Sequence, residues 1–359
     1  MAGRRRRSAR KPLWAKILVA TGAFLMVVAG GAVVYANVMF DKVNDAAQQA
    51  CLLDDCTAYQ PGEEVTGPLN FLLVGSDMRK DWSAAQSDSI MILHVNADLS
   101  AANIVSIPRD LEVTIPDCGN GAPCDDKINA AFSVGGTDMK KAVSSLAATL
   151  TDLTGVKFDG AAMINFGGFE DVVELLGGVE LCVPFDMDLE HPKDADGNKP
   201  HVKKGCREYE PKLALGIVRE RYAYDYDNPN WDPKYGVGDY GRQRMQQHFI
   251  KQLLKKAKAE GYMTNVFKVG ELIDKIGDQI LLDLKGRQVT DLAFALTDID
   301  ASKLTTLKVP SDSVKENEIW YVRTLPEHEK AAESLYKAIR DDDLATWTLE
   351  NPDWVNKTG

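Results

Sequence analysis

Asn70-Phe71-Leu72-Leu73-Val74-Gly75-Ser76-Asp77 is the stretch from which the rest of the chain is read. The apolar run Asn70–Val74 is short for a helix and stops at Gly-Ser-Asp, the pattern of a buried strand opening into a loop. Two more β-branched runs follow, Ser89–Val95 and Asn103–Ile107, the second closed by Pro108-Arg109-Asp110. Leu111–Ile115 alternates as a strand does. Thr137–Leu153 then predicts a helix, with Thr137 or Asp138 to cap it and Gly155 beyond its end. Gly168–Leu176 predicts a second, stopped by Gly177-Gly178. Val179–Phe185 reads as a strand, with a hairpin between Cys182 and Cys206 across the polar loop Lys193–Lys204. Pro211–Arg219 starts with proline in its first turn, and Tyr240–Lys258 reads as a long amphipathic helix with Asp239 as its N-cap. The remainder alternates helix and short strand through Leu304–Val309, with a last helix at Glu327–Arg340. Strands alternating with helices predict an α/β fold, a three-layer α/β/α sandwich around a mixed central β-sheet.

Outward toward the N-terminus the character changes. Ile17–Phe40 holds no charged residue. As a helix it would be about 36 Å long, enough to cross a bilayer. It follows seven Arg and Lys in residues 1–16, with no acid among them. That flank places the N-terminus inside and the body outside. The expected organisation is a cytoplasmic basic tail (1–16), one transmembrane helix (17–40), a juxtamembrane spacer (41–67) partly helical around Asn44–Ala50, a main domain (68–312) and a C-terminal extension (313–359). Beyond the tail, 35 of the 42 basic residues face 53 acids, a net charge of about -18. Such a body has no basic footprint for nucleic acid.

Six cysteines lie beyond the apolar run. An even number in an oxidising compartment predicts disulfides, and proximity suggests Cys51–Cys56, Cys118–Cys124 and Cys182–Cys206 among about 15 connectivities. Zinc is disfavoured, because no Cys-x-x-Cys and no suitably spaced His pair is present.

Four of the ten arginines beyond the tail fall within Arg219–Arg244: Arg219, Arg221, Arg242 and Arg244. Several guanidinium forks around one pocket suit a pyrophosphate. The rival reading is a solvated face with ion pairs, to which Glu220 would contribute. Arg219 and Arg221 share a face only if the backbone is extended there. Arg242 and Gln246 are four apart on one helix face, close to its amino end, where free N–H groups favour an anion. Asp77 closes the first strand, with Arg79 two residues on, and Asp88 opens the second. Two such carboxylates can share a hard cation, although both residues also suit turns and caps. Arg109 sits at the carboxyl end of its strand, where ligands of α/β sheets gather, with Lys127 and Asn129 a short way on.

The order of these segments resembles the LytR–CpsA–Psr family: Asn70–Asp77, Ser87-Asp88-Ser89-Ile90-Met91, Ser106–Asp110, Lys127-Ile128-Asn129, Val218–Arg221 and Asp239–Gln247, over about residues 68–255. The resemblance implies an extracytoplasmic phosphotransferase that moves a glycan-phosphate from a polyprenyl-pyrophosphate carrier to a peptidoglycan sugar hydroxyl. It also implies pyrophosphatase activity when no acceptor is present. Asp77 and Asp88 would hold Mg²⁺ (or Mn²⁺). Arg109, Arg219, Arg221, Arg242 and Gln246 would bind the pyrophosphate, with Lys127 and Asp239 in support. Asp110 and Asp239 are candidates for a base. Apolar helix faces would line a groove for the prenyl chain, and Ala147–Leu153 and Val172–Leu176 are candidates for it, with core packing as their simpler role. Two departures stand out. Gln86 occupies a position where the family often has arginine, a donor that Arg79 would have to replace. The segment between Arg221 and Asp239 is long and aromatic (Tyr222, Tyr224, Tyr226, Trp231, Tyr235), a sugar-stacking lid or a bulky surface loop. The main alternative is a non-catalytic wall-polymer or polyprenyl-lipid receptor on the same fold, which would not need the two aspartates. A transcription attenuator would need the body on the other side of the membrane.

Overall fold

The computed structural model describes residues 50–356, apart from 54–55, 61, 78–85, 194–196, 222–237, 263–264, 266–267, 269, 273–274, 276–278 and 300. The expected anchor, residues 41–49 of the spacer, Arg79 and the aromatic run from Tyr222 to Tyr235 lie outside the described residues. No helix among the described residues is long and apolar enough to cross a membrane.

Strands β1 (Leu69–Ser76), β2 (Ser87–Val95) and β3 (Ala102–Ile107) form the centre of the main sheet. Next come β4 (Glu112–Ile115), β5 (Cys124–Lys127), α1 (Ile128–Ser133), α2 (Met139–Thr154), β6 (Gly160–Asn165) and α3 (Phe166–Leu175). A smaller unit comprises β7 (Val179–Val183), β8 (Met187–Asp188), β9 (His201–Val202), β10 (Gly205–Tyr209) and α4 (Pro211–Arg219). The long α5 (Asp239–Ala259) leads to β11 (Ile280–Asp283), α6 (Val289–Ala295) and β12 (Leu304–Lys308). The chain ends in β13 (Asp312–Glu316), β14 (Ile319–Arg323), α7 (Pro326–Arg340) and α8 (Leu344–Glu350).

The main sheet has the order β11-β6-β1-β2-β3-β12. Strands β6, β1, β3 and β12 run parallel, and β2 and β11 run against them, so the sheet is mixed as expected. Both of its faces are covered. Leu72, Val74, Ile90, Ile92 and Val105 pack on one side against Val143, Leu146 and Leu150 of α2 and Leu335 and Ile339 of α7. Phe71, Met91, Val95 and Ile104 pack on the other, toward Ile250 and Leu254 of α5 and Leu292 of α6. That two-sided burial explains the near-continuous apolar runs of β1 and β2, where one solvated face would have given alternation.

Local signals set several element ends where the sequence placed them. Asp138 caps α2 by accepting from Lys141 N, and Gly155 closes it in the left-handed conformation (φ 70°). The helix at Pro211–Arg219 has its predicted limits. Other ends differ. Gly238 precedes α5 and Asp239 is its first helical residue, so the Asp239 carboxylate is no cap and turns to Gln243 and Arg242 instead. Cys124–Lys127 pairs as a strand with Glu112–Ile115, which its polar sequence did not announce. A further helix, α8, follows the one expected to be last.

Disulfides join Cys51–Cys56, Cys118–Cys124 and Cys182–Cys206, the three pairs that proximity suggested. Cys182 and Cys206 are directly opposite each other in the β7–β10 pair. The segments flanking the expected main domain join its core. Leu52 and Leu53 are buried in the α2-side cluster, and both their N–H groups donate to Asp283 Oδ2 at 2.8 Å. Val322, Leu335, Ile339 and Trp347 belong to the same cluster.

Candidate functional site

The carboxyl ends of β1, β3 and β6 and the amino end of β2 lie along one edge of the sheet. Ser76 pairs with Ser87, and the register slips by one residue between Gly75 and Ser76. Gly75 still faces Ser89, so Asp88 is the extra residue of a β-bulge, a device that re-aims side chains at sheet edges. Asp77 follows Ser76, so the two carboxylates flank the same residue pair. Ser76 Oγ donates to the Gln86 carbonyl at 2.9 Å and ties down the start of β2.

A cavity of about 530 Å³ opens at this edge, between the sheet and helices α3, α4 and α5. Asp77, Gln86, Asp88, Arg109, Arg219, Glu220, Arg221, Arg242 and Gln246 make up most of its polar lining. Deeper parts are apolar, with Leu73, Met91, Phe166, Phe169, Leu215 and Ile250 among the contributors. The Phe169 and Phe249 rings stack 4.3 Å apart. Gly216 lets α4 lie against the chain at His191, where a Cβ would collide with the carbonyl. The cavity is therefore amphiphilic, with charge at the sheet edge and hydrocarbon behind it.

The arginines reach this cavity from three elements. Arg109 Nη1 donates to Asp88 Oδ1 at 2.7 Å. Its Nε is 3.7 Å from Asp110 Oδ2, beyond hydrogen-bond reach. Arg242 is only 3% exposed, pairs with Asp239 one turn away and approaches Asp88 Oδ1 to 3.9 Å. The Nε atoms of Arg109 and Arg242 are both buried with no hydrogen-bond partner among the described residues. Arg219 ends α4, and Glu220 is extended (φ -63°, ψ 134°), so Arg219 and Arg221 both line the cavity as the sequence required. The Arg219 guanidinium lies 4.0 Å above the Phe166 ring. Glu220 accepts from the main-chain N–H groups of Glu190 and Arg221 and so fixes the turn between the two arginines. Burial, then the guanidinium groups of Arg242 and Arg109, push Arg221 below its ordinary value against the pull of Asp239 and Asp88. Arg221 is thus a desolvated cation beside two others, a setting that an anion would relieve.

The other expected site residues stand behind this lining. Lys127 does not line the cavity; its Nζ is 3.1 Å from Asp110 Oδ1 and 5.3 Å from the centre of the Tyr321 ring. Asp110 thus lies between Lys127 and Arg109, and Asp239 forms an ion pair with Arg242 and accepts from Gln243. Arg244 points elsewhere, donating from Nε to Asn356 Oδ1 at 3.2 Å. The proposed lining Ala147–Leu153 and Val172–Leu176 forms no part of this cavity. Ala147 and Leu150 pack in the α2-side core and Val172, Val173 and Leu176 in other buried clusters, so core packing is their role.

The donor chemistry fits a hard divalent ion. Asp77 and Asp88 are adjacent carboxylates on the cavity lining, and among the described residues no group of three or more His, Cys, Asp or Glu converges. Mg²⁺ takes one or two carboxylates and completes its shell with water and substrate phosphate oxygens.

Comparison with known proteins agrees with this architecture. The chain is 32% identical to the probable cell wall biosynthesis protein LcpB of Corynebacterium glutamicum over 222 residues, 58% of this chain but 46% of that protein. It is 28% identical over 302 residues to the polyisoprenyl-teichoic acid–peptidoglycan teichoic acid transferase TagU of Bacillus cereus, covering 83% of this chain and 88% of that one. Its fold is shared with Bacillus subtilis TagV (TM-score 0.59, 22% identity, 77% of this chain and 98% of that one). It is shared also with TagT bound to LI-WTA (TM-score 0.57, 22% identity, 82% and 96%). The LytR_cpsA_psr family matches residues 34–338, and the chain belongs to that family.

Proposed function

We propose that this protein is a membrane-anchored, extracytoplasmic phosphotransferase that moves a glycan-phosphate from a polyprenyl-pyrophosphate carrier to a peptidoglycan sugar hydroxyl. The observation that carries this reading is the amphiphilic cavity, with arginines and two aspartates at its polar edge and hydrocarbon behind. A pyrophosphate at the edge and a prenyl chain in the apolar part would match it group for group. TagU, the 28% identical relative, bears the name of a transferase acting between such a lipid-linked polymer and peptidoglycan.

Arg109, Arg219, Arg221 and Arg242 bind and orient the two phosphates, and Gln246 adds an amide from the Arg242 face of α5. Asp77 and Asp88 would hold Mg²⁺ (or Mn²⁺), which would add neutralising charge on the phosphate oxygens. The acceptor hydroxyl oxygen bonds to the glycan-bearing phosphorus as the P–O bond to the prenyl phosphate breaks. In the net balance the leaving monophosphate carries away the hydroxyl proton. Positioned cations supply most of what such a displacement requires. Asp110 and Asp239, each set beside an arginine of the site, would fix the poses of Arg109 and Arg242.

The test is mass spectrometry of lipid extracted from the purified full-length chain. A polyprenyl phosphate or pyrophosphate is expected, with any attached glycan naming the substrate. Recovery of membrane phospholipids alone, from protein that also fails to release prenyl phosphate from a polyprenyl-pyrophosphate glycan, would reject the proposal.

A further inference from the structure

The ribbon of β13 and β14 is tied to the site yet faces outward. Val322 N donates to the Asp110 carbonyl at 2.9 Å, one residue from Arg109. Arg323 forks onto both carboxylate oxygens of Glu112 and onto Glu316. The Tyr321 ring lies between Lys127 Nζ at 5.3 Å and Arg323 Cζ at 5.2 Å, and Lys127 in turn holds Asp110. In β14, Ile319 is 48% and Trp320 57% exposed, the latter with Lys315 Nζ 6.0 Å from its ring centre. Register places Lys315 opposite Trp320 and Val314 opposite Tyr321, so each face of the ribbon presents one aromatic ring beside a cation.

Ile319 and Trp320 are exposed while Tyr321 on the other face is half-buried, and an exposed apolar pair of this kind marks a contact surface. Three observations say what would cover it. The ribbon is continuous with the cavity edge through Asp110. Its rings are flanked by cations, so apolar faces alternate with hydrogen-bond donors, the chemistry of a sugar ring with its C–H face and its acyl and carboxylate oxygens. Its turn carries Glu316 and Glu318, which repel an anionic lipid surface.

We propose that this hairpin is the acceptor platform: an N-acetylated glycan strand lies along its exposed face, with a sugar ring stacked on Trp320, and so delivers a hydroxyl to the phosphate at Arg109. The proposal rests on the transfer reading of the site and adds where the acceptor binds. Trp and Tyr anchors carry a large share of contact energy at such surfaces.

The experiment uses the full-length chain in detergent, with sedimentation on purified peptidoglycan and competition by chitin oligosaccharides. A parallel assay measures prenyl phosphate release from a polyprenyl-pyrophosphate glycan without acceptor. Trp320→Ala should bind peptidoglycan about tenfold more weakly, the loss typical of a truncated aromatic anchor, whereas Tyr321→Ala, on the other face, should bind within about twofold of the parent. Trp320→Ala should release prenyl phosphate at the parent rate and lose transfer to peptidoglycan. Trp320→Phe should restore binding. Parent-like sedimentation of Trp320→Ala would overturn the platform, as would weakened binding confined to phosphatidylglycerol vesicles or to a protein partner. A parent protein that binds peptidoglycan through Trp320 but releases no prenyl phosphate would instead count against the transfer reading and leave the platform standing.

Discussion

Strands β1 and β2 bury polar groups at both ends, about 20 Å apart at the usual rise per residue, and the two ends use them differently. At the far end His94 is fully buried, with Nδ1 2.8 Å from Asn70 Oδ1 and Nε2 2.8 Å from Asp342 Oδ1. Asp342 Oδ2 accepts from Ala97 N at 2.9 Å. Both ring nitrogens and both carboxylate oxygens have partners within the protein. At the near end Arg109 and Arg242 bury Nε atoms that have no acceptor among the described residues, burial and two neighbouring guanidinium groups push Arg221 below its ordinary value, and a cavity stands in front. A closed cluster of this kind fastens the fold. An open one, costly to keep buried without a ligand, marks where a ligand goes.

The contrast is sharpest when each end is broken. Arg109→Ala should lower prenyl phosphate release about 100-fold or more, the scale set by removing a preorganised charge donor from a transition state. Its thermal midpoint should stay close to the parent's, because the cluster it leaves was already open. Arg109→Lys should recover little, since an ammonium lacks the fork. Normal turnover by purified Arg109→Ala would remove the near end from the chemistry.

Asp342→Ala should show the reverse. It strands the His94 Nε2 and the Ala97 N–H, at a cost of about 2 kcal/mol. The thermal midpoint should fall by about 5 °C for a domain of this size. Asp342→Asn, which can still bond both groups, should retain most of the stability. Turnover per folded molecule should be unchanged in both. A drop in turnover without a drop in midpoint would show that the far end is coupled to the site.

What the sequence disclosed follows the same division between local and distant causes. β1, β2, β3 and the ends of α2 and α4 were legible, because apolar runs, Asp138, Gly155 and Pro211 act through neighbours a few residues away. Asp77, Asp88, Arg109, Arg219, Arg221, Arg242 and Gln246 were named in advance, and the fold brings all seven to one cavity. Lys127 was named in support of the arginines and stands behind the cavity lining on Asp110, its side chain directed by the pairing of β5 with β4 and by a Tyr321 nearly 200 residues away. The apolar wall was sought on α2, whose Ala- and Leu-rich face belongs to the sheet's other side. The amino half of α5 was read as amphipathic, yet Arg242, Gln243, Gln247 and His248 are all buried there. Each has a specific partner that composition could not reveal, such as Ser106 Oγ and the Leu307 carbonyl for Gln247, or Cys182 N for His248 Nε2.

The finest division lies within α5, between two arginines that the sequence counted together. Residues two apart on a helix differ by about 200° of rotation, so Arg242 and Arg244 cannot serve one pocket. Arg242 enters the cavity, whereas Arg244 donates to Asn356, whose Nδ2 donates in turn to Gln247 Oε1 at 2.6 Å. Arg244 therefore helps hold the C-terminal segment against the back of the helix that carries Arg242. Arg244→Ala should cost about 1 kcal/mol, one hydrogen bond's worth, and lower the midpoint by a few degrees. Prenyl phosphate release should stay within about twofold of the parent, while Arg242→Ala loses it, the order expected when only one of the two faces the reacting phosphate. Equal losses in the two variants would mean that the Gln247–Asn356 contact sets the pose of Arg242, and that the closed and open clusters on this helix act as one.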